Sequence, residues 1–313
     1  MRSLAPVSGG RLVPVRAAVT LTVAAGVLQA GQARLNGALE ERAGVLPTSL
    51  VSFGVGLVVL AGLVGMSAPR RRAAAGVLAG GRWWWRLGGL GGASVVAVQA
   101  LGVPLIGVAL VSVCLVAGQT VGALVVDRLA LGPGGAHPVT APRVVGAALA
   151  ILAVGLGGAG RFHSVAPVLF ALLLAAGVLG AAQAAANGQL REVTGEPLVA
   201  ALVNFGVGFS VLAAAAVAAA AAGSLPAPHW PVNPLLYGGG LGGTAFIAIA
   251  AYTVRALGVL RLTLATVTGQ LLGAVALDLA VPGPGGGLSL YTLLGVVLTL
   301  MAVVVAGLPS LHR

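Results

Sequence analysis

Runs of about twenty apolar residues follow one another along almost the whole chain, near 17 to 39, 46 to 66, 84 to 103, 105 to 126, 142 to 160, 166 to 190, 197 to 222, 235 to 254, 258 to 280 and 288 to 308. A helix of that length crosses a hydrocarbon core about 30 Å thick, where the backbone must satisfy its own hydrogen bonds. The pattern predicts an all-α membrane protein with ten transmembrane helices. Charge agrees with it. With 17 basic and 6 acidic residues in 313, only 7% of the chain is charged, too little to coat a soluble globule of this size. A soluble enzyme is excluded.

The basic excess, a formal +11, would suit a nucleic-acid partner if it were gathered in a soluble domain. Here the arginines flank apolar spans, so no nucleic-acid partner is expected, and the charge reads as orientation in the bilayer. With ten crossings, fourteen of the seventeen arginines fall on one side: Arg2, Arg11, Arg16, Arg70, Arg71, Arg72, Arg82, Arg86, Arg128, Arg143, Arg191, Arg255, Arg261 and Arg313. Arg34, Arg42 and Arg161 are left for the other. By the positive-inside rule both termini are expected in the cytoplasm. Trp83, Trp84 and Trp85 beside Arg82 and Arg86 read as an interfacial anchor at the inner end of the third span. The first span could pass for a signal peptide, but the sixth repeats its sequence deep in the chain, where no leader can be. The single Cys114 lies in an apolar run and reads as a small buried hydrophobe.

The chain also repeats itself. Shifted by 151 residues, GVLQAGQARLNGALEERAG from Gly26 aligns with GVLGAAQAAANGQLREVTG from Gly177, with eleven of nineteen positions identical. After a one-residue indel LVSFGVG from Leu50 meets LVNFGVG from Leu202. The offset then returns to 151, pairing GGLGG from Gly88 with GGLGG from Gly239, and GQTVGALVVD from Gly118 with GQLLGAVALD from Gly269. The expected organisation is a tail over 1–16, one five-helix repeat over 17–160 and a second over 166–308. Because five is odd, the second copy enters the membrane with opposite polarity. Two inverted repeats are the architecture of many secondary transporters, which place the substrate near the bilayer midplane at the repeat interface.

Gln32, Asn36 with Gly37, SFGVG at Ser52, WWWRLGGLGG at Trp83, GQTVG at Gly118 and the following Asp127 resemble the YdcZ-like bacterial inner-membrane proteins of the drug/metabolite transporter superfamily. The resemblance spans about residues 20 to 306. It implies a transporter or exporter of the bacterial inner (plasma) membrane, built here as two fused units of a family whose members are commonly single ones. It brings no catalytic residues with it. The second half departs from the first at Asn204, where the first has Ser52, and in having no tryptophan run before Gly239.

Polar groups inside spans are costly, so they mark candidate sites. Gln29, Gln32 and Asn36 recur at i, i+3 and i+7, on one helix face, and Gln183 with Asn187 repeats the i, i+4 pair. Amides both donate and accept, so two such stripes facing one cavity would bind a polar small-molecule substrate without a fixed charge. The alternative is that they tie helix to helix. Arg34, the charge within the first span, either snorkels to the outer interface or meets an anionic or zwitterionic substrate. Asp127 and Asp278 end the fourth and ninth spans and are candidate coupling groups, unless they are solvated or paired with a neighbour such as Arg128. GxxxG spacings at Gly118 and Gly269, and the two GGLGG runs, read as close helix contacts. His137, His163, His229 and His312 are scattered in loops and tails, and no HExxH or GxSxG occurs, so no enzyme, metal or cofactor is expected. The function expected is secondary transport, most naturally export, of a small polar or amphipathic solute. Its rival is a non-transporting scaffold or lipid-interacting subunit. A polar cavity between spans one and six would favour transport and a close-packed centre the scaffold. The sequence leaves the oligomeric state open.

Overall fold

The computed structural model describes residues 14–308 apart from 80–81, 134, 137, 160, 162–165, 226 and 283–287. Arg2, Arg11, Arg313, His137, His163 and His312 lie outside the described residues. The described chain is helical throughout: α1 (Val15–Ala43), α2 (Val45–Gly65), α3 (Ala68–Ala79), α4 (Gly88–Arg128), α5 (Ala141–Gly158), α6 (Pro167–Thr194), α7 (Pro197–Ala221), α8 (Gly239–Ala280) and α9 (Leu290–Ala306), with 3₁₀ turns at Trp83–Leu87 and Pro234–Gly238. By length and composition seven segments suffice to cross a membrane, and α9 is a shorter apolar helix of 17 residues.

Two expected spans are fused in α4, as are two in α8. Straight, the 41 residues of α4 would reach about 60 Å, twice the hydrocarbon thickness. The helix instead breaks at Gly107, where φ is 82°. A Cβ placed on Gly102 would come within 3.0 Å of Val111 Cγ2, whereas nine residues of continuous helix separate two atoms by about 13 Å. The chain therefore turns back on itself there. The sequence puts this break at Pro104, but a proline only removes one helical bond and crowds the preceding turn. The sharp turn waits for a residue that tolerates a left-handed φ, and Gly107 is the first glycine available. In α8 the same role falls to Gly258, at φ 70°, 151 residues later.

The α1–α2 turn repeats this correspondence, since Gly44 (φ 83°) and Gly195 (φ 68°), which ends α6, are also 151 apart. Packing repeats it again. α1 lies along α8 and α6 along α4, while α2 meets α7 and α5 meets α9. Gly26 of α1 faces Gly269 of α8, and their counterparts Gly177 of α6 and Gly118 of α4 face one another. Each half thus lends its first helix to the other half's long one, a reciprocal contact of the kind two-fold interfaces have. The broadest core runs along α4 just after its break, where Val108, Ala109, Leu110, Val111, Val113 and Cys114 are all fully buried against α5, α6 and α9.

Three elements had no counterpart in the sequence reading, one of them the 3₁₀ turn Pro234–Gly238, which delays the start of α8 to Gly239. The 3₁₀ turn Trp83–Leu87 delays the helix start to Gly88, with Trp84 and Trp85 in edge contact. Residues 68–79, which fall between the expected spans 46 to 66 and 84 to 103, form α3, whose alanines favour helix. Arg70 binds Glu196 at 3.4 Å and the Leu63 carbonyl at 3.2 Å, while Arg86 donates to the Val77 carbonyl at 2.9 Å. These bonds tie α3 to the end of α2, to the start of α7 and to the 3₁₀ turn that follows it.

Candidate functional site

The candidate site grows from the amides of α1 and α6. Asn36 is buried, and its Nδ2 donates to Ser52 Oγ of α2 at 3.3 Å. In the other half Asn204 Nδ2 of α7 donates to Asn187 Oδ1 of α6 at 3.1 Å. Asn204 stands where the first half has Ser52, so the two pairs are counterparts with the donor reversed. Gln32 and Gln183, one turn earlier, are half-buried and make no hydrogen bond among the described residues.

What leaves these amides room is the glycine run at the start of each long helix. A Cβ on Gly239 would fall 2.0 Å from Asn36 Oδ1, and one on Gly243 would fall 3.1 Å from Gln32 Oε1. Across the repeat, Gly92 would meet Gln183 Nε2 at 2.9 Å and Asn204 Oδ1 at 3.1 Å. The GGLGG runs are thus close contacts, as expected, but the groups pressed into them are the amide heads. Asn204 Oδ1 is buried without a hydrogen-bond partner, an acceptor whose lost hydration nothing replaces.

Between the two amide clusters lies an aromatic pair that the sequence reading passed over. Phe53 and Phe205, the same position in the two copies, stack tilted with ring centroids 5.0 Å apart. Phe205 backs onto Gly56 and Gly243, and Phe53 backs onto Gly208. Their repeated setting, LVSFGVG and LVNFGVG, was the available signal. Two further polar contacts were also missed: buried Gln99 in α4, and Thr22 of α1 bonded to Thr253 of α8 at 3.0 Å.

The other candidates sort differently. Gln29 and Arg34 are half-buried on α1 and have no polar partner among the described residues. Asp127 pairs with Arg143 of α5, not with the adjacent Arg128. Asp278 is buried, and both its oxygens accept backbone N–H groups, from Val108 at 2.9 Å and Ala109 at 2.8 Å. α1 and α6 do not touch, so their stripes do not face one another directly. Two hollows, of about 160 and 320 Å³, run along α9 and are lined by residues such as Leu264, Thr268, Leu300 and Val304. Neither is lined by an amide.

No curated protein matches the chain. The family described as "Putative inner membrane exporter, YdcZ" matches it twice, over residues 17–156 and 168–305. Those two matches together cover most of the sequence and fall on the two halves that share the paired amides, the phenylalanines and the glycine runs. The chain belongs to the YdcZ family of multi-pass inner-membrane exporters and carries the family's unit twice.

Proposed function

We propose that this protein exports a small, uncharged or zwitterionic polar solute by alternating access between two inverted five-helix repeats. Counting α4 and α8 as two crossings each, with α1 and α9, gives ten, five to a repeat. An odd number inverts the second copy. The observation that carries the reading is the reciprocity of the halves, α1 on α8 and α6 on α4, with the positive-φ glycines 107 and 258 at the repeat spacing. Such a pair can exchange the conformations of its halves and so the side that is open. Gln32, Asn36, Gln183 and Asn187 would contact the substrate, with Gln29 and Arg34 beside them on α1 and Phe53–Phe205 as the partition between two half-sites.

The scaffold reading draws support from the close-packed centre, since Phe53 and Phe205 fill the space between the amide clusters. A closed partition is equally what a substrate-free transporter presents between its two open states. The exporter family and two polar side chains, Gln32 and Gln183, without partners among the described residues and set beside glycine faces weigh for transport. The test is a thermal-shift screen of purified protein against neutral and zwitterionic metabolites, because a ligand of the folded state raises its apparent stability. A hit should show counterflow in proteoliposomes. A protein that no solute stabilises or moves by counterflow would be the scaffold.

The orientation that goes with this reading puts both termini in the cytoplasm, from the fourteen-to-three arginine asymmetry. With Cys114 replaced by alanine, a membrane-impermeant maleimide added outside should label Ser224→Cys, after α7, and spare Ala75→Cys in α3. The opposite pattern would reverse the topology.

A further inference from the structure

The two hairpin tips of the repeats are equivalent in sequence and unequal in state. At the first, the break at Gly107 strips Val108 and Ala109 of helical acceptors while burying both completely, and Asp278 of the other repeat supplies both oxygens. Buried donors at a helix start demand such a cap, and a carboxylate suits the positive end of the helix dipole. A Cβ on Gly107 would fall 2.8 Å from Asp278 Oδ2. At the second tip, Gly258 is exposed, and among the described residues nothing lies within 4 Å of the same point. The carboxylate that repeat symmetry assigns to it, Asp127, 151 residues before Asp278, is held by Arg143 instead.

From this inequality we infer that Asp278 and Asp127 are alternating latches. Asp278 closes the outer side by capping the 107 tip. In the opposite state it lets go, and Asp127 leaves Arg143 to cap the backbone N–H groups of residues 259 and 260, closing the inner side. The state described here is then closed outside, with its inner latch open. Arg143 is a positioning residue that parks the inner carboxylate. The inference rests on the alternating-access reading and adds to it the groups that hold each end shut.

Its test uses two probes at equivalent positions in full-length protein in membranes, with Cys114 replaced by alanine. Ser112 is fully buried five residues beyond Gly107, and its repeat counterpart Thr263, five beyond Gly258, is exposed. Ser112→Cys should resist a water-soluble thiol reagent and Thr263→Cys should react. Asp278→Ala should raise reaction at Ser112→Cys roughly tenfold and lower it at Thr263→Cys, as a shifted two-state equilibrium requires. Arg143→Gln, which leaves Asp278 untouched and lies at the opposite end, should move both probes in the same directions. It also covers the case in which Asp278→Ala fails to fold. If Arg143→Gln leaves Ser112→Cys protected, the latch exchange is wrong while transport stands. If Ser112→Cys opens with no protection gained at Thr263→Cys, the ends are uncoupled, and both the latches and alternating access fall.

Discussion

Gly177→Val is expected to leave little folded protein in the membrane. Gly177 of α6 faces α4 so closely that a Cβ would fall 2.4 Å from the Leu115 carbonyl oxygen and 2.8 Å from Gly118 Cα, where ordinary contact begins near 3.4 Å. The obstructing atoms are backbone, so no rotamer change relieves the clash and the helices must separate. Gly118→Val (2.1 Å from the Leu174 oxygen), Gly26→Val (2.2 Å from the Thr266 oxygen) and Gly269→Val (2.0 Å from the Val23 oxygen) meet the same obstacle at the equivalent crossings. Overpacking a dense core costs about 1–3 kcal/mol and more where the backbone is in the way. Within a bilayer this contact also supplies the dispersion that holds helices together. The control is Gly155→Val, on the exposed side of α5, where nothing lies within 4 Å. Size-exclusion profiles and melting temperatures of the five variants decide the matter. A Gly177→Val protein as monodisperse and as stable as Gly155→Val would show that the α4–α6 crossing is looser than described.

Asn36→Ala and Asn187→Ala are expected to cut transport by roughly tenfold to a hundredfold, the range set by losing a buried hydrogen bond. Stability should change far less. Each asparagine makes one hydrogen bond, to Ser52 or from Asn204, and interhelical bonds of this kind average about 0.6 kcal/mol and reach about 2 at most. Asn187→Ala should be the less stable of the two, since it leaves the buried Asn204 amide with neither donor nor acceptor satisfied. Gln29→Ala should behave like wild type, its repeat counterpart being Gly180. Transport retained alongside a lowered melting temperature would make these amides structural ties and remove them from the substrate site.

Much of this was legible before any coordinates. Membrane character, the all-helical class and the duplication follow from composition and spacing, because each is a property of single segments in a given solvent. Asn36 and Asn187 stood out for the same reason, as polar groups where hydrocarbon tolerates few. The missed parts are of another kind. Phe53 and Phe205 look like ordinary span residues until α2 is laid on α7. Pro104 looked like the break, yet the turn came at Gly107, the next residue able to take a left-handed φ, and the helix start it creates is capped by a carboxylate 170 residues away. Asp278 seemed one more span-end charge, like Asp127, until its oxygens proved to cap Val108 and Ala109 while Asp127 met Arg143.

The sequence by itself determined that this chain lives in a bilayer as two copies of one helical unit, since apolar length and internal periodicity act locally and need no partner. Only the tertiary structure decided which helix lies on which, that the two glycine runs receive amide heads, and that two equivalent aspartates have unequal partners. Those outcomes depend on pairs of groups far apart in the chain, so equivalent positions in the two copies, such as Asp127 and Asp278, settle into different contacts because the groups packed against them differ.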